Sequence, residues 1–113
     1  MKIITEPTSL NELWGNRKVK FEDMMKIVVD VGREIVAADA ELHADLEALL
    51  LENGSRQYDI WGINIYSDKN EDDYIEYTAL INIKPSQDNR SMEVEDPQTR
   101  HKIREICARL LKR

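Results

Sequence analysis

The sequence predicts an α+β domain. It consists of an antiparallel sheet of about four to five strands, a short N-terminal helix, and a longer C-terminal helix packed on one face of the sheet. Three observations carry that expectation. Residues 41–48 alternate strictly between polar and apolar, which is the period of a half-buried strand. Asn53-Gly54 is a strong hairpin signal, because both central residues of a type I′ turn need positive φ. Asp96-Pro97 opens a helix, with Asp as N-cap and Pro at the first helical position.

The first helix begins at Ser9, which forms a capping box with Glu12, and Leu10, Leu13 and Trp14 supply its apolar stripe. Gly15-Asn16 weakens it, so it ends between about residues 15 and 20. Residues 21–38 admit two readings. Glu22, Asp23, Lys26, Asp30, Arg33 and Glu34 gather on one side of a helical wheel, as in an amphipathic helix. The β-branched Ile27, Val28, Val29, Val31, Ile35 and Val36, with Gly32 among them, favour two strands turning near Gly32-Arg33.

The alternation of residues 41–48 selects a strand, prolonged by Leu49-Leu50-Leu51. It places Glu41, His43, Asp45 and Glu47 on one face and Leu42, Ala44, Leu46 and Ala48 on the other. With Asn53-Gly54 as the turn centre, Leu46 faces Trp61, Ala44 faces Ile63 and Leu42 faces Ile65, all apolar pairs. On the polar side His43 faces Asn64, Asp45 faces Gly62 and Glu41 faces Tyr66. The weak point of this register is Glu47 opposite Ile60. Strands then follow at residues 59–66 and 74–84, separated by a solvated loop from Ser67 to Asp73. Residues 85–95 are polar and irregular. The last helix buries Ile103, Ile106, Cys107, Leu110 and Leu111.

Composition bounds the function classes. The chain has 113 residues, 42% apolar and 34% charged, with only 4 Gly and 3 Pro, which excludes disordered and collagen-like classes. That length fits one domain, residues 1–113. No apolar run approaches the ~20 residues of a membrane-spanning helix, and the first residues lack a secretory signal. A lone Cys107 suits a reducing compartment, so the expectation is a soluble cytoplasmic protein. The net charge is −6 and unevenly spread, near −11 over residues 1–96 and +5 over residues 97–113. The acidic body argues against a nucleic-acid partner, and the basic tail lacks interleaved aromatic platforms.

Several segments together resemble a known family. They are Glu41-Leu42-His43-Ala44-Asp45, Leu49 to Ser55, Trp61 to Tyr66, Ile81 to Pro85, and Asn89-Arg90-Ser91 with Glu95-Asp96-Pro97. The combination resembles a family of small bacterial and archaeal proteins catalogued as a domain of unknown function, along nearly the whole chain. The resemblance implies a stand-alone domain and supplies no catalytic residue.

The candidate polar cluster is Glu41, His43, Asp45, Glu47, Asn64, Asn82 and Arg90. On a strand, Glu41, His43 and Asp45 would offer carboxylate oxygen and imidazole nitrogen to one divalent metal, with Asn64 fixing the histidine tautomer and Gly62 leaving room for water or substrate. The plain alternative is a solvated sheet face. Asp45 with His43 would also suit acid–base work. Arg90 suits a carboxylate or phosphate, or a salt bridge to the acidic body. The leading expectation is a binding or interaction module, with self-association through a sheet edge or face. The rival is a small metal-dependent enzyme built on Glu41, His43 and Asp45.

Overall fold

In the computed structural model, which describes residues 1–113, β1 (Lys2–Ile4) and the two-residue β2 (Thr8–Ser9) lead into α1 (Leu10–Asn16). The Ser9 hydroxyl accepts from the Glu12 backbone N–H at 3.2 Å, as the capping box requires. The next run forms β3 (Met24–Asp30) and β4 (Ile35–Ala38), paired antiparallel, so the two-strand reading holds and the helix reading does not. Asp30 closes the turn: its Oδ1 accepts from the N–H groups of Gly32 and Arg33, each at 2.9 Å.

The next element corrects the sequence reading. Residues His43–Glu52 form a helix, α2, instead of a strand. Strict alternation gave way to the helix-forming content of His-Ala-Asp-Leu-Glu-Ala-Leu-Leu-Leu-Glu, whose Leu46 and Leu50, one turn apart, are both fully buried. Leu42, assigned to the apolar face of a strand, is 56% exposed. Asn53-Gly54 ends this helix and does not turn a hairpin. The N–H of Gly54 donates to Leu51 O at 3.2 Å and that of Ser55 to Leu50 O at 2.9 Å, the paired bonds of a Schellman motif. Gly54 has φ +106°, the same backbone demand that a type I′ turn would make.

β5 (Ile60–Tyr66) therefore pairs with β3 on one side and β6 (Ile75–Glu76) on the other. The long strand expected over 74–84 is only these two residues. Beyond them the chain forms single-turn 3₁₀ segments at Leu80–Asn82 and Pro85–Gln87. α3 (Pro97–Leu110) is capped by Asp96, as read from the sequence, and runs into β7 (Leu111–Lys112), which lies parallel to β2. The main sheet has the order β1-β4-β3-β5-β6 and is antiparallel throughout.

Side-chain parity divides the core between the two faces of the sheet. Met25, Ile27 and Val29 of β3 and Trp61, Ile63 and Ile65 of β5 point to the face covered by α1 and α3. There α3 buries Ile103, Ile106, Cys107 and Leu110. Burying each large apolar side chain of that stripe contributes about 1.5–3 kcal/mol. Val28, Ile35, Ala37 and Ile60 point the other way, against Leu46 and Leu50 of α2. The face expected to be partly wet is thus half covered by a helix that the sequence reading placed within the sheet.

Candidate functional site

The row Glu41, His43, Asp45 and Glu47 does not exist as a row, because its residues lie on or beside a helix. Glu41 precedes α2 and is exposed, and Asp45 points to solvent. His43, the first helical residue, lays its ring on the sheet. No group of three or more His, Cys, Asp or Glu side chains is placed to hold a metal ion. The strand geometry behind the proposed Glu41/His43/Asp45 metal set is gone.

His43 still meets Asn64, by packing of α2 on β5. Its Nε2 lies 2.8 Å from Ile63 O, which assigns the proton to that nitrogen. Burial pushes the His43 pKa down, the bond to Ile63 O opposes this, nearby Lys26 lowers it further, and Asn64 and Glu76 raise it. Asn64 donates Nδ2 to Glu76 Oε1 at 2.7 Å and to Thr78 O at 3.3 Å, and its Oδ1 is buried without a partner. Gly62, read as room for substrate, is filled space: a Cβ there would sit 2.5 Å from Ala79 Cβ and 3.1 Å from His43 Cδ2.

Asn82 is also structural. Fully buried, it accepts from Gly62 N–H at 2.8 Å and donates to Gly62 O at 2.9 Å and Met92 O at 3.0 Å. Its amide supplies the pairing that a neighbouring strand would give β5. Arg90 pairs with Asp88 at 2.6 Å on the surface. Glu47 accepts from Gln57 Nε2 at 2.9 Å, and burial raises its pKa while Lys84 lowers it.

Lys84 is the residue the sequence reading missed. Its buried ammonium donates to Gln57 O at 2.7 Å and Ile60 O at 2.6 Å and lies over the Trp61 ring, 4.1 Å from its centroid. Burial lowers its pKa to about 8 against the pull of Glu47 and Asp59. In sequence it is an ordinary lysine after an apolar segment, and nothing local marks it.

Trp61 also borders a cleft of about 440 Å³, between the β3–β4 turn, residues 58–59, the 87–89 loop and the start of α3. Four carboxylates line it, and three are committed to the fold. Asp96 caps α3, accepting from Gln98 N–H at 3.2 Å and the Thr99 hydroxyl at 2.9 Å. Glu95 accepts from the N–H groups of Ser91 and Arg90 at 2.8 and 3.0 Å, and the Ser91 bonds hold its pKa below the usual range. Asp88 pairs with Arg90. Asp59 alone makes no side-chain hydrogen bond; its carboxylate leans over Gly32, beside Tyr58 and Trp61.

A family model described as a protein of unknown function (DUF5674) matches residues 2–110. No curated protein and no solved structure matches the chain.

Proposed function

The chain belongs to the DUF5674 family, whose function is unknown, and we propose that it is a binding module that takes a cationic group in the cleft beside Trp61. The observation that carries this reading is Asp59, a carboxylate without a hydrogen bond in a cleft that Tyr58 and Trp61 also line. An ammonium or guanidinium there gains a charge-assisted hydrogen bond and the exposed ring of Tyr58, the Trp61 ring being buried beneath Lys84. Lys84 on Trp61 is an instance of that chemistry within the chain.

Self-association through a sheet edge finds less support. The edge strands β1 and β6 are three and two residues long, too short to template a second chain well. A nucleic-acid partner is disfavoured by the fate of the basic tail. Arg100 pairs with Glu93, Arg104 with Asp72, and Lys102 and Arg109 both with Glu34. We take residues 1–113 as one domain. No helix is long and apolar enough to cross a membrane, and a buried free Cys107 fits a cytoplasmic setting.

The test is a tryptophan fluorescence titration with agmatine, which carries both an ammonium and a guanidinium. Saturable binding is expected, weakened about tenfold or more in Asp59→Asn, the worth of one charge-assisted hydrogen bond. No saturable change at millimolar agmatine, or equal affinity in Asp59→Asn, refutes the reading.

A further inference from the structure

On the far side of the molecule a second groove of about 410 Å³ opens between α1, the end of β5 and the C-terminal strand. Leu10, Trp14, Gly15, Tyr66, Ser67 and Arg113 contribute to its walls. The pairing of Thr8 with Leu111 and Ser9 with Lys112 brings Arg113 alongside α1. The space beside Gly15 is open, since a Cβ there would meet nothing within 4 Å. We infer that this groove is a binding site for a planar aromatic ligand bearing an anionic group, its ring between Trp14 and Tyr66 and its anion on Arg113.

Two features support this. The first is the wall chemistry: two large aromatic side chains, both half-buried, with little charge between them. A flat ring gains both apolar burial and stacking there. The second is charge. The cations of α3 each pair with a carboxylate, whereas Arg113 donates to Lys69 O at 2.7 Å and lies over the Tyr74 ring at 4.6 Å. Arg17, stacked on Trp14 at 4.7 Å, likewise donates only to carbonyls, those of Trp14 and Phe21. Two guanidinium groups that pair with no Asp or Glu side chain therefore flank the aromatic wall. The acidic groups near the groove orient the ligand. Glu76, which accepts from the Tyr66 hydroxyl at 3.0 Å, and nearby Asp23 and Asp68 outweigh the one ammonium there, that of Lys69 at 5.7 Å from the Tyr66 ring centroid, so that end is net negative and an anion is drawn to Arg113.

Amide chemical shifts of the full chain, titrated with 2-naphthoate, adenosine 5′-monophosphate and the uncharged 2-naphthalenemethanol, test the site. Saturable shifts confined to residues 10–15, Tyr66, Ser67 and Arg113, including the Trp14 indole N–H, are expected for at least one anion. The tighter of the two identifies a carboxylate or a phosphate source. Arg113→Gln is expected to weaken the anion about tenfold or more and leave the alcohol unchanged. Tyr66→Leu is expected to weaken all three. Shifts centred elsewhere, no saturation by either anion, or an anion affinity unaltered in Arg113→Gln overturns the inference. The exposed position of Arg113 means that its replacement leaves the fold intact.

Discussion

Replacing Asn82 separates a structural amide from a functional one. β5 pairs with β6 only at Asn64 and Ile65. At Gly62 the backbone N–H and C=O on that side have the Asn82 amide as partner. Asn82→Ala leaves these two groups without partners in a site with no solvent exposure, while Met92 O keeps the N–H of Ala79 at 3.0 Å. Each unsatisfied buried group costs about 1–3 kcal/mol, and water entering the void recovers part of it, so the loss is about 2–4 kcal/mol. Asn82→Asp tests the chemistry at nearly constant shape. Its carboxylate would keep the bond from Gly62 N–H but face two carbonyl oxygens, which raises its folded pKa. A raised carboxyl pKa gives stability that is present below the unfolded value of about 3.9 and lost as pH rises through the folded one. The deficit of Asn82→Asp should therefore shrink between pH 7 and pH 4. Urea unfolding followed by circular dichroism measures both variants. A loss below about 1 kcal/mol for Asn82→Ala, the size of an ordinary surface change, refutes the argument. So does a deficit of Asn82→Asp that ignores pH.

Three further outcomes follow from the same structure. Lys84 has a folded pKa of about 8 against 10.5 unfolded, so the native state sheds its proton first and stability gains a rising contribution with pH from about 8 upward. Tyr74 and Cys107, both pushed up to about 12 by burial, act in the opposite sense at higher pH. The Lys84 slope is therefore read as the difference between wild type and Lys84→Met from about pH 7.5 to 9, and equal slopes in that window would contradict the burial argument. Cys107, fully buried, should react with a thiol reagent orders of magnitude more slowly in the native protein than in denaturant, and equal rates would place it on the surface. Gly62→Ala, whose Cβ would press on Ala79 at 2.5 Å, should cost about 1–3 kcal/mol in a urea melt, and a neutral result would mean that the 79–83 segment yields freely.

The elements legible in the sequence are those whose signals are local. Ser9 with Glu12, Asp96 with Pro97, and the β-branched run broken by Gly32 each specify backbone geometry within a few residues. The misreading at 41–54 joined two ambiguous signals that reinforced each other. Alternation over eight residues fits a strand, but only Leu46 of the four supposed inward residues is buried. Asn-Gly satisfies a hairpin and a helix end alike, because both want positive φ after Asn. Glu47 opposite Ile60 was the physical warning: a correct register does not put a carboxylate on an isoleucine. Yet His43 and Asn64 do meet, because α2 lays its first turn on the β5 face that a hairpin partner would have lined.

The cleft beside Trp61 was not legible for a different reason. Its walls come from Val31, residues 58–61, 87–89 and 95–99, which no local window joins. Its chemistry is a matter of hydrogen-bond accounting. Asp59, Asp88 and Glu95 are equivalent acids in the sequence, and only Asp96 is marked there, by the Pro97 that follows it. In the fold Asp96 caps α3, Glu95 takes two backbone N–H groups and Asp88 takes Arg90, leaving Asp59 with no hydrogen bond and only the longer-range pull of Lys84. Committed carboxylates hold loops in place, and one without a hydrogen bond, in a cleft with an exposed tyrosine, is free to hold something else. The same accounting beside Trp14 leaves Arg113 and Arg17 with no carboxylate partner. The two ends of β5 thus lie beside groups of opposite charge, each next to aromatic surface, and removing either charge by mutation should weaken one titration while sparing the other.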